Sequence, residues 1–285
     1  MNELGILYIT GMPRSGSTLL GRLLADRFKV QFAGELLHLD ALCRPAERCG
    51  CGSDLKTCTY WGPVRALLAN LNPRATRTVL RAAATASPAS SAPSAAGAKL
   101  VAEVVERLLT STSYPIVDTS KIPGLALAHP ANASRRPVHA VHLLRDPSAV
   151  IASIAERPLR KRERDDPAAR LRTFSPLAAG LRWRKHNWLA SQLRHEVASY
   201  QTVHLEDLVR EPDGVLDDIG QSAGLHRRSN GQPLDHSLRG NPSRFDPLVV
   251  RPALARRATS TSRHDGPRLI ALAGRTWGYS LVERR

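Results

Sequence analysis

The hydrophobic pattern of the N-terminal region predicts a buried strand, a tight turn and a helix, in that order. Residues 4–9 form a short and almost uninterrupted apolar run, which is typical of a strand covered on both faces of a parallel sheet. A glycine-rich turn follows. Beyond it Leu20, Leu23, Leu24 and Phe28 recur at steps of three and four residues, so they share one face of a helix. This unit is the expected start of an α/β protein.

The alternation of strand and helix patterns continues along most of the chain. Asp146 and Pro147 form an N-cap followed by proline at the first helical position, and Pro158 is expected to end that helix. The predicted strands are 115–118, 138–144 and 202–205, and the predicted helices are 100–109, 146–157, 177–197 and 208–223. Such alternation predicts an α/β protein whose parallel sheet is flanked by helices on both faces. We assign residues 1–285 to a single domain of this class.

One stretch departs from this pattern. Residues 82–98 consist almost entirely of alanine, serine and proline, a composition that offers no hydrophobic face for packing. We expect a mobile loop inserted within the single domain, and not a boundary between two domains.

The net charge of +16, from 41 Lys and Arg against 25 Asp and Glu, is compatible with several anionic partners. Nucleic acid, an acidic membrane surface and a phosphorylated cofactor all fit such a charge. However, the arginines are scattered rather than set in one stripe, and aromatic residues make up only 5% of the chain. RNA-binding proteins typically combine basic patches with exposed aromatic residues. We therefore attribute most of the charge to the solvated surface and expect no nucleic-acid partner.

The hydropathy pattern indicates a cytoplasmic protein. No apolar run approaches the ~20 residues that span a membrane. Residues 1–10 contain neither a basic segment nor a small-residue cleavage site, so they do not resemble a signal peptide. We expect no transmembrane segment.

Four cysteines, Cys43, Cys49, Cys51 and Cys58, lie close together in the sequence, and three interpretations remain open. A zinc site is one, although the spacing C-x5-C-x-C-x6-C is not that of a zinc finger or ribbon. A disulfide is a second, which a reducing cytosol disfavours. The third is a cysteine- and glycine-rich turn packed by Trp61. On this basis we assign no metal ligand.

The segment between the first strand and the first helix is similar to a phosphate-binding loop. It reads G-M-P-R-S-G-S-T, and the nucleoside-triphosphate loop reads G-x-x-x-x-G-K-[ST], so that Ser17 occupies the lysine position. Glycines let the backbone turn its N–H groups towards a phosphate, and the start of the helix adds partial positive charge. The predicted phosphate cradle consists of Gly11, Pro13, Arg14, Ser15, Gly16, Ser17 and Thr18.

The missing lysine changes the ligand that this cradle is expected to hold. In ATP and GTP enzymes that lysine reaches the β- and γ-phosphates, while the Ser/Thr hydroxyl holds Mg²⁺. A ligand with a single phosphate at this place needs neither the lysine nor the metal. Arg14 can supply positive charge from within the loop.

Two motifs together resemble those of sulfotransferases that use 3′-phosphoadenosine 5′-phosphosulfate (PAPS). Residues 13–20, P-R-S-G-S-T-L-L, resemble the 5′-phosphosulfate loop of bacterial members and of the carbohydrate and tyrosylprotein branches. Residues 141–153, which contain R-D-P, resemble the family's 3′-phosphate motif. Arg145 at the end of a strand and Ser153 in the next helix can both donate to one phosphate. The resemblance implies the P-loop NTPase-like sulfotransferase fold.

Three further segments extend the resemblance over most of the chain. Residues 117–121, 204–212 and 236–245 resemble the D-S-S-K, Y-E-D-L-x-x-x-P and H-x-x-x-G-N-P-x-R-F runs of bacterial members. By this resemblance Arg239 and Gly240 join the 3′-phosphate site. The resemblance also implies PAPS as co-substrate, no required metal, and an acceptor that bears a hydroxyl group.

The resemblance and the chemistry of sulfuryl transfer indicate three catalytic residues. The protein must orient the acceptor hydroxyl, take its proton, and neutralise the charge that grows on the leaving phosphate. We predict that Arg14 and Lys121 neutralise charge. Glu35, which follows Ala-Gly beyond the first helix as in the tyrosylprotein branch, is the predicted base, with His38 in reserve. The histidine base of the cytosolic branch has no counterpart in residues 120–123.

A P-loop kinase-like phosphotransferase and a basic nucleic-acid-binding protein remain the alternatives. The first predicts a lysine at position 17, where the chain has Ser17, and the second predicts clustered charge, where the chain has scattered charge. We therefore predict a sulfotransferase that moves a sulfuryl group from PAPS to a carbohydrate, a glycolipid or another small molecule by in-line transfer.

Overall fold

Six parallel strands form the central sheet in the described part of the chain. This computed structural model describes residues 5–43, 47–69, 72, 74–76, 78, 95–123, 136–154, 176–229, 231 and 234–252. The strands are β1 (Ile6–Thr10), β2 (Gln31–Gly34), β3 (Ile116–Lys121), β4 (Val138–Leu144), β5 (Ser199–His204) and β6 (Asp235–Leu238). Their order across the sheet is β5-β4-β1-β3-β2-β6, and each neighbouring pair is parallel. The predicted parallel α/β architecture is confirmed.

Helices connect the strands and cover the sheet. They are α1 (Ser17–Arg27), α2 (Gly62–Leu68), α3 (Ala95–Ser111), α4 (described over 147–154), α5 (Pro176–Ser191), α6 (Leu205–Arg210) and α7 (Pro212–Ser222). Short 3₁₀ helices lie at Leu36–Cys43, Thr59–Trp61, Gln192–His195 and Pro242–Phe245. Within the described residues, no helix combines the length and the apolar character that crossing a membrane requires.

The two faces of the sheet bury separate hydrophobic cores. In β1, Ile6 and Tyr8 lie in one core and Leu7 and Ile9 in the other. The first core is closed by α2, α3 and part of the segment that carries the cysteines, and the second by α1, α6 and α7. All five residues of β1 are buried. The apolar run at the N-terminus therefore reflects a strand covered on both faces.

Most predicted elements are present, some with shifted ends. Strand β4 has the predicted bounds, whereas the predicted helix 208–223 is two helices, because the chain breaks at Glu211 before Pro212. The predicted helix 177–197 is α-helical only to Ser191 and continues as a 3₁₀ turn. Of the predicted loop 82–98, the last four residues belong to α3, and the rest lies outside the described residues.

Strands β2 and β6 are absent from the sequence-based prediction. Each is four residues long, and β6 reads D-H-S-L, which lacks the apolar pattern of a buried strand. Residues 235–238 form a strand at the edge of the sheet because their backbone pairs with that of β2. These two strands bring the chain segments after Gly34 and Leu238 to the same edge as the ends of the other strands.

Candidate active site

Predicted site residues lie at the carboxyl ends of five different strands. Gly11 follows β1, Glu35 follows β2, Lys121 is the last residue of β3, Arg145 follows β4, and Arg239 follows β6. Because the strands are parallel, these positions lie along one edge. Ligands of open α/β sheets bind outside the carboxyl ends of the strands, at the point where the strand order reverses. Residues predicted from separate motifs therefore share one region.

The loop between β1 and α1 turns tightly at two glycines. Gly11 has φ 133°, and a Cβ there would lie 2.3 Å from the carbonyl oxygen of Leu143. Gly16 has φ 96° and is the N-cap of α1. The first turn of α1, which is fully described, contains no acidic residue to offset the partial positive charge of the helix end. The loop thus has the backbone form of an anion cradle.

Ser15 contributes a buried hydroxyl to this loop. It is 2% exposed, and its Oγ has no hydrogen-bond partner among the described residues. Buried hydroxyls are normally hydrogen-bonded, because an unsatisfied one costs roughly 1–3 kcal/mol. Unused hydrogen-bonding capacity at a helix N-terminus suits an anionic oxygen. Of the other predicted cradle residues, Pro13 is half-buried, and Ser17 and Thr18 are buried at the start of α1.

Arg14 connects the loop to the second predicted motif. Its Nε donates to Oγ of Ser153 at 3.0 Å, and its carbonyl oxygen accepts from Nη1 of Arg145, also at 3.0 Å. Ser153 lies in α4, whose first turn is capped by Asp146: Oδ1 accepts from two backbone amides at 2.9 and 3.2 Å. The contacting pairs are 139 and 131 residues apart in sequence. The fold therefore joins the two motifs through two side-chain hydrogen bonds.

Glu35 and Lys121 form a largely buried ion pair at the ends of β2 and β3. Nζ of Lys121 donates to Oε1 of Glu35 and, at 2.9 Å, to the carbonyl oxygen of Thr119. The two side chains are only 11% (Lys121) and 17% (Glu35) exposed. Nε2 of His38 lies 3.2 Å from Oε2 of the same carboxylate. The structure thus brings the predicted base, its reserve and the predicted lysine together.

These partners keep the Glu35 carboxylate charged. Burial by itself raises the pKa of Glu35, but the hydrogen bond with His38 and the charge and hydrogen bond of Lys121 outweigh it, and the pKa falls to about 2. The carboxylate is therefore ionised at neutral pH. So low a pKa also makes it a weak proton acceptor for as long as Lys121 remains attached.

Three of the predicted site residues have left-handed backbone conformations. Arg14, Lys121 and Arg239 have φ angles of 79°, 69° and 61°, and no other non-glycine residue in the described ranges has a positive φ. This conformation costs a side-chain-bearing residue roughly 1–3 kcal/mol and persists only where surrounding contacts enforce it. Backbone strain of this kind clusters at functional sites. Its coincidence with three motif residues supports the location of the site.

Comparison with known proteins identifies the family. The profile of the sulfotransferase family matches residues 7–228. The chain belongs to the sulfotransferase family. Among solved structures it is similar to the sulfotransferase domain of the Synechococcus PCC 7002 olefin synthase, with 26% identity and a TM-score of 0.58 over 99% of this chain and 97% of that one. No curated protein gives a significant match.

A second solved structure supports the fold of this sulfotransferase. The sulfotransferase domain from the curacin biosynthetic pathway has 18% identity and a TM-score of 0.57, over 99% of this chain and 100% of that one. The family match and these two structures confirm the predicted family and the predicted sulfotransferase fold. They favour this interpretation over the kinase-like and nucleic-acid-binding alternatives.

The segment after β6 packs against the start of α1 in this sulfotransferase. Gly240 has φ 114°, and a Cβ there would lie 3.1 Å from Oγ1 of Thr18, which also accepts from the amide of Asn241 at 3.2 Å. Arg239 forms an ion pair with Glu47. The structure therefore places Arg239 and Gly240 beside the cradle. Their contact with a 3′-phosphate stays a prediction.

His186 is a site residue that the sequence analysis did not single out. From α5 its Nε2 donates to the carbonyl oxygens of Gly11 and Lys121, at 2.9 and 3.2 Å. Burial lowers the pKa of His186, and a neutral ring with its hydrogen on Nε2 suits both bonds. Through these two hydrogen bonds, His186 connects the end of β1 with the end of β3. It lies outside every recognised motif, so the sequence carries no local signal for it.

We predict that stability at acid pH depends on the charge of Glu35. The pKa of Glu35 falls from 4.5 to about 2 on folding, so its ionised form stabilises the protein above pH 4.5, and this stabilisation is lost as the pH falls towards 2. The difference in unfolding free energy between wild type and Glu35→Gln is expected to be about 2–3 kcal/mol near neutral pH and to shrink in the acid range. Denaturant unfolding at a series of pH values measures it.

Glu103→Gln is the matched control for this experiment. Glu103 lies on α3 with its side chain 43% exposed and 3.9 Å from Arg107. Exposed ion pairs contribute little, so this variant is expected to unfold within about 0.5 kcal/mol of wild type at every pH. A Glu35→Gln difference that stays constant as the pH falls below 4.5 would contradict the depressed pKa.

Proposed function

We propose that this sulfotransferase moves a sulfuryl group from PAPS to the hydroxyl group of a carbohydrate, a glycolipid or another small molecule. The observation that carries the proposal is the contact between its two phosphate motifs, through the bond from Arg14 to Ser153 and from Arg145 to the Arg14 carbonyl. PAPS is anionic at both its 5′-phosphosulfate and its 3′-phosphate. Two joined anion-binding motifs match the two ends of such a ligand.

The residues of the two motifs fit this donor. For its 5′ end the loop offers backbone amides, the N-terminus of α1 and the unused hydrogen-bonding capacity of Ser15. For its 3′-phosphate we assign Arg145 and Ser153, joined by Arg239 from the end of β6. When bound, PAPS supplies an electrophilic sulfuryl group attached to a phosphate leaving group.

Glu35 is the residue that we assign to take the acceptor proton. It is ionised and largely buried, and two partners fix its two oxygens. Lys121 is one of those partners and lies at the end of β3, beside the cradle. If Lys121 shares its charge with an anion held in the cradle, the pKa of Glu35 rises, and the carboxylate becomes a stronger base. Donor binding and activation of the base are thereby coupled through one ammonium group.

Arg14 and Lys121 then neutralise the charge that develops on the leaving phosphate. Both are held in strained backbone conformations, so their positions are set before the ligand arrives. Preorganised positive charge of this kind stabilises a transition state without the cost of reorientation. His186 supports Lys121 and the first cradle glycine through their carbonyl oxygens.

Binding is predicted to be selective for the 3′-phosphate. Arg145→Ala removes a charge-assisted contact worth roughly 1.5–3 kcal/mol, so affinity for 3′,5′-adenosine diphosphate is expected to fall about ten- to a hundredfold. Affinity for adenosine 5′-phosphate is expected to fall less, because this nucleotide has no 3′-phosphate to lose contact with. Some loss is still expected, because the variant lacks the hydrogen bond that positions the Arg14 carbonyl. Calorimetric titration with both nucleotides measures the two effects.

Arg107→Ala serves as the control, since it removes an exposed guanidinium from α3. It is expected to bind both nucleotides as wild type does. Equal affinity of the wild-type protein for the two nucleotides would contradict the assignment of Arg145, Ser153 and Arg239 to the 3′-phosphate.

Sulfuryl transfer is predicted to need no added divalent metal. Ser17 replaces the loop lysine, and Arg145 rather than an acidic residue follows β4. Initial rates with EDTA present only during the assay are expected to equal those with saturating Mg²⁺. A loss of activity on chelation that Mg²⁺ restores would instead support the kinase-like alternative.

Glu35 and Lys121 are predicted to have different kinetic roles. Glu35→Gln preserves the shape of the side chain but cannot accept a proton, so turnover is expected to fall by about 10²–10⁴ with donor affinity near wild type. Lys121→Ala is expected to lower both turnover and donor affinity. Because Lys121 depresses the pKa of Glu35, this variant should also shift the acidic limb of its kcat/KM profile to higher pH.

Steady-state kinetics over a range of pH, together with direct binding of 3′,5′-adenosine diphosphate, separates these effects. His38→Gln is the comparison variant, because it removes the other partner of the Glu35 carboxylate but leaves Lys121 in place. Near-normal turnover in Glu35→Gln would contradict the assignment of Glu35 as the base, and His38 would then be the next candidate.

A further inference from the structure

Three cysteines and a histidine meet where residues 47–58 pack against β6. Sγ of Cys58 lies 3.6 Å from Sγ of Cys49, 3.8 Å from Sγ of Cys51 and 3.3 Å from Nδ1 of His236. Sγ of Cys49 lies 3.6 Å from the same nitrogen. All four atoms lie within 4.8 Å of one another. The cysteines come from one segment, whereas His236 is 178 residues beyond Cys58.

The distances agree with those between the ligands of a tetrahedral zinc ion. Zn–S bonds of about 2.3 Å and Zn–N bonds of about 2.0–2.1 Å place two sulfurs about 3.8 Å apart and a sulfur and a nitrogen about 3.6 Å apart. Four of the six distances between ligand atoms are close to these values, at 3.6 and 3.8 Å between sulfurs and 3.3 and 3.6 Å between sulfur and nitrogen. The other two, from Sγ of Cys51 to Sγ of Cys49 and to the His236 ring, are within 4.8 Å. The three cysteines are free thiols, so no disulfide accounts for their proximity.

We propose that Cys49, Cys51, Cys58 and Nδ1 of His236 bind a structural Zn²⁺ ion. Three thiolates and one imidazole form a donor set that favours zinc, and four protein ligands leave no open position for a substrate. The three thiols release their protons on binding, so the occupied site carries a net charge of −1. Arg65 lies next to it and donates to the carbonyl oxygen of Cys58 at 2.8 Å.

Neighbouring groups fix the ligands in position. The ring of His236 stacks on Tyr60, with centroids 4.7 Å apart and an interplanar angle of 18°. Nε1 of Trp61 donates to the carbonyl oxygen of His236 at 3.0 Å, and the amide of Trp61 donates to the carbonyl oxygen of Cys58 at 3.2 Å. Supporting hydrogen bonds that orient metal ligands in this way are typical of metal sites.

The glycines of the Cys-Gly-Cys-Gly run are required by the same turn. A Cβ at Gly50 would lie 2.1 Å from Oδ1 of Asp235, and Gly52 has φ 89°. The amide of Gly50 donates to the carbonyl oxygen of Ser237 at 3.1 Å, which fixes the turn to β6. A side chain at Gly50 would displace Asp235 and Ser237, and one at Gly52 would strain the backbone, so glycine suits both positions.

The proposed ligand set differs from the sequence-based assignment of no metal. The cysteine spacing alone did not match a known zinc motif, because one ligand comes from the distant segment 236–245. The side chain of Cys43 lies outside the described residues, and the site is complete without it. A closed four-ligand site is compatible with sulfuryl transfer that needs no added metal.

The ion would cross-link the cysteine segment to the strand that leads to the cradle. His236 is the second residue of β6, and Arg239 follows the end of that strand. Arg239 pairs with Glu47, and Nη2 of Arg244 donates to the carbonyl oxygen of Arg48 at 3.2 Å, so both segments already contact each other. Zinc would therefore fix the strand that leads directly into Arg239 and Gly240, both of which have positive φ angles.

Metal analysis of the full-length, tag-free protein, purified without chelator, tests the proposal. Elemental mass spectrometry is expected to find about one zinc ion per chain, as a closed Cys₃His site requires. The Co²⁺-substituted protein is expected to show the intense visible bands of tetrahedral cobalt and a thiolate charge-transfer band. Protein that contains no zinc after growth and purification with added Zn²⁺ overturns the proposal, as does a disulfide that includes Cys49, Cys51 or Cys58.

Two variants test the ligand set. Cys51→Ser changes an exposed residue and His236→Gln changes a half-buried one, and each is expected to weaken zinc binding about a hundredfold or more in competition with a chromogenic chelator. Cys43→Ser, the matched control from the same region, is expected to retain wild-type zinc affinity. Loss of zinc in Cys43→Ser, or full retention in His236→Gln, overturns this ligand set. If a variant fails to fold, the zinc content and the cobalt spectrum of the wild-type protein still decide the question.

Discussion

Parallel pairing of β1 with β3 and β4 places the ends of three strands side by side, and the site depends on that alignment. A slip of one residue in a strand buried on both faces would exchange the side chains of the two cores, so the cores hold the register. Because the register is fixed, Gly11, Lys121 and Arg145 lie next to one another at the aligned strand ends. His186 then binds two of the strand ends through their carbonyl oxygens.

The ion pair of Glu35 and Lys121 at this edge is largely buried. A buried ion pair recovers its cost of desolvation only with good geometry and further hydrogen bonds, and the pair of Glu35 and Lys121 has both. The left-handed backbones at Arg14 and Lys121 also cost free energy that the surrounding contacts must offset. The strained backbones lower stability, but they fix Arg14 and Lys121 in position before a ligand binds. That is the property that an anion-binding catalytic site requires.

The cradle and the proposed zinc site are connected through β6. This polar edge strand contributes His236 to the cysteine cluster and, one residue beyond its end, Arg239 to the neighbourhood of the cradle. An edge strand with few apolar side chains gains little from the hydrophobic core. The ion pair of Arg239 with Glu47 stabilises the position of this strand, and the proposed zinc ion would stabilise it further. The same strand therefore links the proposed zinc site to the candidate active site.

Features that depend on near neighbours could be predicted from the sequence: the glycine turn between β1 and α1, the cap at Asp146 and the bounds of β4. Their signals are local, since turns, caps and buried strands are set by adjacent residues. Strands β2 and β6 could not be predicted, because their pairing partners, not their own patterns, make them strands. The chain's residue types define which chemical groups are present. Which of them meet, such as Glu35 with Lys121 or Cys58 with His236, is decided by the strand order, because packing of two cores brings distant segments together.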